Sequence, residues 1–233
     1  MVPIEALTSF DPAALASVST IGASGAPIRV VDGVFSDPGA VVAAIRGADL
    51  PIPHPDDFYP GLRYPLPEAF HAQFAAWLSR LTGCDAVSER NGFVSVVTCP
   101  ANRLLPIQTI PHFDTTDEGI FAAVLYLFDE GYGGTSFYRH RSTGLELLDA
   151  RSERLYRAAL RREVPDPAAL SRRYRNGDDA LFERIHRQAP RFNRMVLYPG
   201  RLLHSGDIAP DYAGAAGPND GRLTITALCR LRA

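Results

Sequence analysis

Gln108-Thr109-Ile110-Pro111-His112-Phe113-Asp114, followed after one turn by Ile120-Phe121-Ala122-Ala123-Val124-Leu125-Tyr126-Leu127-Phe128, is the stretch whose reading decides the fold. The second run is short and apolar. Turn sequences bound it, Asp117-Glu118-Gly119 before and Glu130-Gly131-Tyr132-Gly133-Gly134 after, so it reads as a strand. The first run, over Leu104 to Asp114, reads as extended too. On a strand, residues two apart point to one side, which lets His112 and Asp114 grip a single metal ion. Two histidines and one carboxylate form the set that holds iron(II) in a facial triad with open positions. His204, in a second apolar segment, completes the candidate set.

Working outward, further short runs read as strands: Ile28 to Val31, Phe93 to Thr98, Thr135 to Tyr138, Arg194 to Tyr198 and Arg222 to Arg230. Ser36-Asp37-Pro38 has the form of a helix cap with proline in the first turn, ahead of a helix over Val41 to Ile45. A second helix is predicted from Glu68 to Leu81, with Phe70, Phe74, Trp77, Leu78 and Leu81 on one face as core. Pro51 to Pro67 reads as a long loop, and Asp149 to Gln188 as an arginine-rich helical insertion. The pattern is that of a mainly β chain, a sandwich or barrel with flanking helices. Residues 28–92 would form an N-terminal strand and helix support, and 93–233 the β core with the insertion at about 149–188.

A length of 233 residues suits one domain, and a hydrophobic fraction of 46% is enough for a sizeable core. A net charge of -2 offers no general attraction for nucleic acid. No apolar stretch reaches membrane-span length, and Met1-Val2-Pro3-Ile4-Glu5 lacks the basic start of a secretory leader. A soluble cytoplasmic protein without a membrane or nucleic-acid partner is expected; the oligomeric state is left open. Cys84, Cys99 and Cys229 form no CxxC pair, which argues against a zinc cluster or a disulfide framework. The chain contains no lysine. That excludes a lysine Schiff base and a P-loop lysine, and leaves arginine as the clamp for any carboxylate-bearing ligand.

Three further features bear on the His-x-Asp pair. Met195 to Gly206 reads as a strand, a tight turn at Pro199-Gly200 and His204 on the return, or as a plain hairpin whose histidine caps the loop. Arg222, Thr224 and Thr226 share one face of the last strand, opposite Leu223, Ile225, Ala227 and Cys229. That stripe is either the wet side of a half-exposed strand or the wall of a polar site. Tyr126 shares a face with Val124 and Phe128, as a buried structural residue or with its hydroxyl in the same cavity. His54, His71, His140 and His186 have no comparable setting and read as structural or surface residues. Arg139, His140 and Arg141 read as a charged turn or a contact for an anionic substrate.

The order of these features, His-x-Asp, Tyr126, Gly133-Gly134-Thr135-Ser136-Phe137, PGxxxH and RxTxT, resembles the iron(II)/2-oxoglutarate-dependent oxygenases, especially their prolyl-hydroxylase-like branch, over about residues 93 to 230. The resemblance implies a double-stranded β-helix, a cupin-like jelly roll. It implies His112, Asp114 and His204 as iron(II) ligands. Arg222 would bind the distal carboxylate of 2-oxoglutarate, with Tyr126 and Thr224 or Thr226 hydrogen-bonding to it. The implied reaction consumes O2 and 2-oxoglutarate and hydroxylates a small molecule or an amino-acid or peptide side chain. The presence of Asp114 favours hydroxylation over halogenation, because halogenating relatives lack that carboxylate. The competing expectation is a cupin-like protein that binds a metal or small ligand without catalysis.

Overall fold

Period-two alternation in β10 (Arg222–Arg232) organises the molecule: its odd-numbered residues from Leu223 to Cys229 enter one apolar core, while Arg222, Thr224 and Thr226 face a cavity. The computed structural model describes residues 4–48, 58–129 and 131–232. His54 and the 51–57 part of the expected loop lie outside the described residues. Two antiparallel sheets form. The larger runs in the order β1 (Leu15–Ile21), β2 (Ala26–Asp32), β8 (Arg194–Pro199), β5 (Ile120–Tyr126), β10, β4 (Asp85–Val97) and β3 (Gly61–Pro65). The smaller runs β7 (Phe182–Gln188), β6 (Thr135–His140), β9 (His204–Gly206). The protein is therefore mainly β with flanking helices.

One face of the larger sheet is covered by α1 (Ile4–Leu7), α2 (Pro38–Arg46) and α3 (Glu68–Thr82). The α3 stripe Phe70, Phe74, Trp77 and Leu78 is buried there as its spacing predicts, and Phe10 stacks among these rings at 5.2–5.8 Å. Burying each such side chain contributes roughly 1.5–3 kcal/mol. Asp37 caps α2 by accepting from the Ala40 N–H, with Pro38 in the first turn. On the other face, Tyr126, Val196 and Tyr198 meet Phe137 and Leu202 of the smaller-sheet side. α4 (Ala150–Glu163) closes the outside through Tyr156, packed with Tyr138, Phe182 and Leu203. No helix among the described residues is long and apolar enough to cross a membrane.

Four expectations need correction. Leu104 to Asp114 is not a strand: one 3-10 turn, Ala101–Arg103, precedes it and another, Pro106–Thr109, lies within it, and Pro106 and Pro111 have no N–H to give a ladder. Only His112 pairs, as a single bridge to His204. The insertion at 149–188 is helical only in α4 and a short 3-10 turn; it ends in β7, whose alternation the arginines mask in the sequence. The expected loop 51–67 contains β3, an edge strand built on Leu62-Arg63-Tyr64. Finally, β8 and β9 are not a hairpin. The turn after Pro199 carries the chain from the larger sheet to the smaller.

Candidate functional site

His112, Asp114 and His204 come together at one end of the space between the sheets. Their ligand atoms all lie within 4.8 Å of one another. The backbone sets this arrangement. The His112 N–H donates to the His204 carbonyl at 2.9 Å, and the His204 N–H returns the bond at 2.8 Å. Such a pair holds the two side chains next to each other, and their ring centroids are 4.2 Å apart. Asp114 is placed by its own N–H, which donates to the Gly200 carbonyl at 2.7 Å. Its carboxylate oxygens sit 4.0 Å from His112 Nε2 and 3.8 Å from His204 Nε2. The three groups would be the ones to hold a single ion.

The electrostatics suit a cation. His204 Nδ1 lies 2.8 Å from the Leu202 carbonyl, to which it donates, and this turns Nε2 toward Asp114, 3.8 Å away. The His112 side chain is 57% exposed, yet the desolvation imposed by the protein mass around it, helped by His204 and Arg63, holds its imidazole well below the usual range, so it is a neutral donor. The same desolvation raises the Asp114 carboxyl above its usual range, against the opposing pull of His204 and Arg63. Two imidazoles and a carboxylate are a donor set that a divalent ion would stabilise.

The triad opens on a cavity of about 510 Å³. Arg222, 5% exposed, lies in its wall. Nε and one terminal nitrogen of Arg222 donate to the Gly133 and Gly134 carbonyls at 3.1 and 2.8 Å. Its guanidinium carbon sits 5.7 and 5.4 Å from the Tyr126 and Phe128 ring centroids. Among the described residues no ion pair joins Arg222 to a carboxylate; the nearby Asp207 is taken by Arg184 and Arg187. A buried cation without an anion costs several kcal/mol, which a ligand carboxylate in the cavity would offset. The double glycine is required here. A Cβ on Gly133 would overlap the Asp207 carbonyl oxygen, and one on Gly134 the Gln188 carbonyl oxygen.

The structure thus gathers His112, Asp114, His204, Arg222, Thr224 and Thr226 on one cavity. The two threonine hydroxyls are engaged with the sheet: Thr224 donates to the Ser95 carbonyl at 3.3 Å, and Thr226 Oγ1 lies 3.1 Å from Ser95 Oγ. Tyr126 stands behind the wall. It is fully buried, its hydroxyl 2.8 Å from Thr135 Oγ1 and its ring beside Arg222, so it supports the arginine. The Arg139-His140-Arg141 run, read as a turn, instead ends β6 and does not line the cavity: Arg139 pairs with Glu146 and Glu183, His140 with Glu163, and Arg141 with Asp178. His71 and His186 are structural; His71 Nδ1 meets Ser88 Oγ at 2.9 Å, and the His186 ring lies 6.0 Å from Phe137.

Tyr198 and Arg63 are among the cavity residues that sequence reasoning missed. Tyr198 packs edge-on to His204 at 4.8 Å, and burial, with Asp114 and Tyr126 adding to it, raises its phenol well above the usual range. Arg63 reaches the cavity from β3. The alternation Leu62-Arg63-Tyr64 between Pro60 and Pro65 was the available signal. The chain belongs to DUF6445, a family of unknown function, which it matches over residues 12–229. No curated protein matches it.

Proposed function

We propose that the chain is an iron(II)/2-oxoglutarate-dependent oxygenase that hydroxylates a small molecule or an amino-acid or peptide side chain. The two facing sheets are read as a double-stranded β-helix with its mouth at the triad. The observation that carries the reading is the pairing, on one cavity, of a His112-Asp114-His204 donor set with a buried arginine that has no carboxylate partner among the described residues. A metal site alone would not call for Arg222. A dianion chelated at one end and salt-bridged at the other uses both.

In this reading His112, Asp114 and His204 hold the iron(II), which supplies the redox chemistry: 2-oxoglutarate, O2 and R–H give succinate, CO2 and R–OH. The protein contributes orientation and exclusion of water. Arg222, fixed by the Gly133 and Gly134 carbonyls, receives the distal carboxylate. Tyr126 and Phe128 keep the guanidinium in place. Val97, Ile208 and Leu228 give the cavity apolar wall. The His204–Leu202 hydrogen bond holds the imidazole in the tautomer that binds metal.

Anaerobic protein given Fe(II) and 2-oxoglutarate is expected to develop a weak visible absorption absent with either alone, and to form succinate on admission of air. Neither signal in the wild-type protein would sink the reading. Tight metal binding with succinate formed no faster than by free iron would favour the non-catalytic, cupin-like binding protein.

A further inference from the structure

The two edges of the larger sheet are built differently. β3, at one edge, is five residues long, carries Arg63 and ends at Pro65, all features that discourage a further strand from pairing. In the smaller sheet, β7 carries Glu183, Arg184 and Arg187, and β9 is only three residues long. β1, at the other edge of the larger sheet, has none of these protections. Its seven residues pair with β2 in unbroken register from Leu15–Asp32 to Ile21–Ala26, without proline or bulge. Among the described residues β2 is its only strand partner. The whole stretch 12–28 has no charged residue although 21% of the chain is charged, so the uncharged edge is a feature of this strand.

Six consecutive residues, Leu15 to Thr20, are exposed, so both faces of β1 stand clear of the layers that cover the rest of the sheet. Leu15 is 76% exposed and Val18 56%. Alternate residues of an antiparallel edge strand point their N–H and C=O groups outward, and no described strand receives them here. Yet β1 is not a loose arm. Just before it, the Trp77 indole N–H donates to the Asp11 carbonyl at 2.8 Å. Just after it, the buried Glu146 carboxylate accepts from the Ala23 and Ser24 N–H groups at 3.1 and 2.9 Å. An edge fixed at both ends has little freedom left to lose on pairing.

Charge and symmetry select the occupant. β1 offers no charge for an oppositely charged partner to select, whereas a second copy of the same strand meets it without like-charge repulsion. We propose that two copies of the chain dimerise by antiparallel pairing of β1 with β1, joining their larger sheets into one. With the two-fold axis at Val18, Val18 lies opposite its counterpart, Ser17 opposite Ser19, Ala16 opposite Thr20 and Leu15 opposite Ile21. Apolar side chains then meet at the centre and the ends, and serine hydroxyls meet between them. Main-chain hydrogen bonds supply the attraction, as they do wherever a strand is added to a sheet edge.

The test is sedimentation equilibrium of the full chain. An interface of one strand is small, so a monomer–dimer equilibrium is expected between about 1 and 200 μM. Val18→Lys and Val18→Glu should each weaken it about tenfold or more, and their equimolar mixture should recover it as a heterodimer. Leu155→Lys, at a leucine 59% exposed on α4, is the control and should leave association unchanged. Hydrogen exchange of the wild-type protein locates the contact without any variant, through protection of residues 15–21 that grows with protein concentration. A wild-type monomer at the highest concentration, undiminished association of Val18→Lys, or an equal loss in Leu155→Lys would each overturn the proposal. So would concentration-dependent protection confined to other segments, a result that stands even if Val18→Lys does not fold.

Discussion

His112 and His204 exchange both of their backbone hydrogen bonds, at 2.9 and 2.8 Å, although they lie in different parts of the chain. That one bridge turns two separate sequence features into a single donor set. It also adds His112 to the edge of the smaller sheet beside β9, so sheet pairing places two of the three donors, while Asp114 is held to the Gly200 turn. Sites built on regular elements hold their geometry better than sites on loops.

Metal binding should therefore stabilise the fold. At a Mn(II) concentration 100 times its Kd, mass action contributes about 2.7 kcal/mol, which for a chain of this size raises Tm by roughly 5–10 °C. His204→Ala or Asp114→Ala should abolish the shift. Thermal unfolding with Mn(II) and with chelator checks this, and an unchanged shift in either variant would remove the triad from consideration.

Arg222→Met should separate cosubstrate binding from metal binding. Losing the charged partner of a buried carboxylate costs about 2–5 kcal/mol, so 2-oxoglutarate affinity should fall on the order of 100-fold or more while the Mn(II) shift persists. Arg222→Lys should recover only part of it, since an ammonium cannot present the planar fork. Titration of 2-oxoglutarate into the Mn(II)-loaded variants gives the answer.

Gly133→Ala should damage both stability and the site. Gly133 has φ +74°, and a Cβ there would overlap the Asp207 carbonyl oxygen, so strands β6 and β9 would have to shift. A loss of about 3 kcal/mol or more is expected from strain and overlap together. Gly131→Ala, at φ +111° with no atom within 4 Å of its Cβ, is the control and should cost only about 1–2 kcal/mol. Urea unfolding of the pair compares them.

Acid should weaken the fold partly through His71. Its burial holds the imidazole below its ordinary value, against the opposing effect of Glu68. The folded state then binds the proton less readily than the unfolded chain, so the contribution is complete above about pH 6.5 and is lost as pH falls below it. His71→Asn, which retains a donor for Ser88, should flatten the fall in urea midpoint between pH 7.5 and 5.5. Parallel pH profiles for variant and wild type would count against it.

The legible parts of the site were those with local signatures. The two faces of β10 followed from alternation, the cap at Asp37 from the Ser36-Asp37-Pro38 run, and the aromatic stripe of α3 from helical spacing. The double glycine looked like a turn, but its role depends on carbonyls of Asp207 and Gln188 that approach it from elsewhere in the chain. Arg63 was hidden in a proline-rich stretch, and Tyr198 in a run that reads only as core.

Residue chemistry and period were enough, by themselves, to mark a β-rich chain, to name His112, Asp114 and His204 as a candidate donor set, and to single out Arg222 in a chain without lysine. These are properties of residue type and near-neighbour spacing, which folding does not alter. The tertiary structure alone decided which atoms meet: the bridge between His112 and His204, the glycine carbonyls on Arg222, and the placing of Arg63 on the same cavity. The reason is physical. Each of those contacts joins residues distant in sequence, and their proximity follows from sheet order and register, which the burial of the whole chain determines.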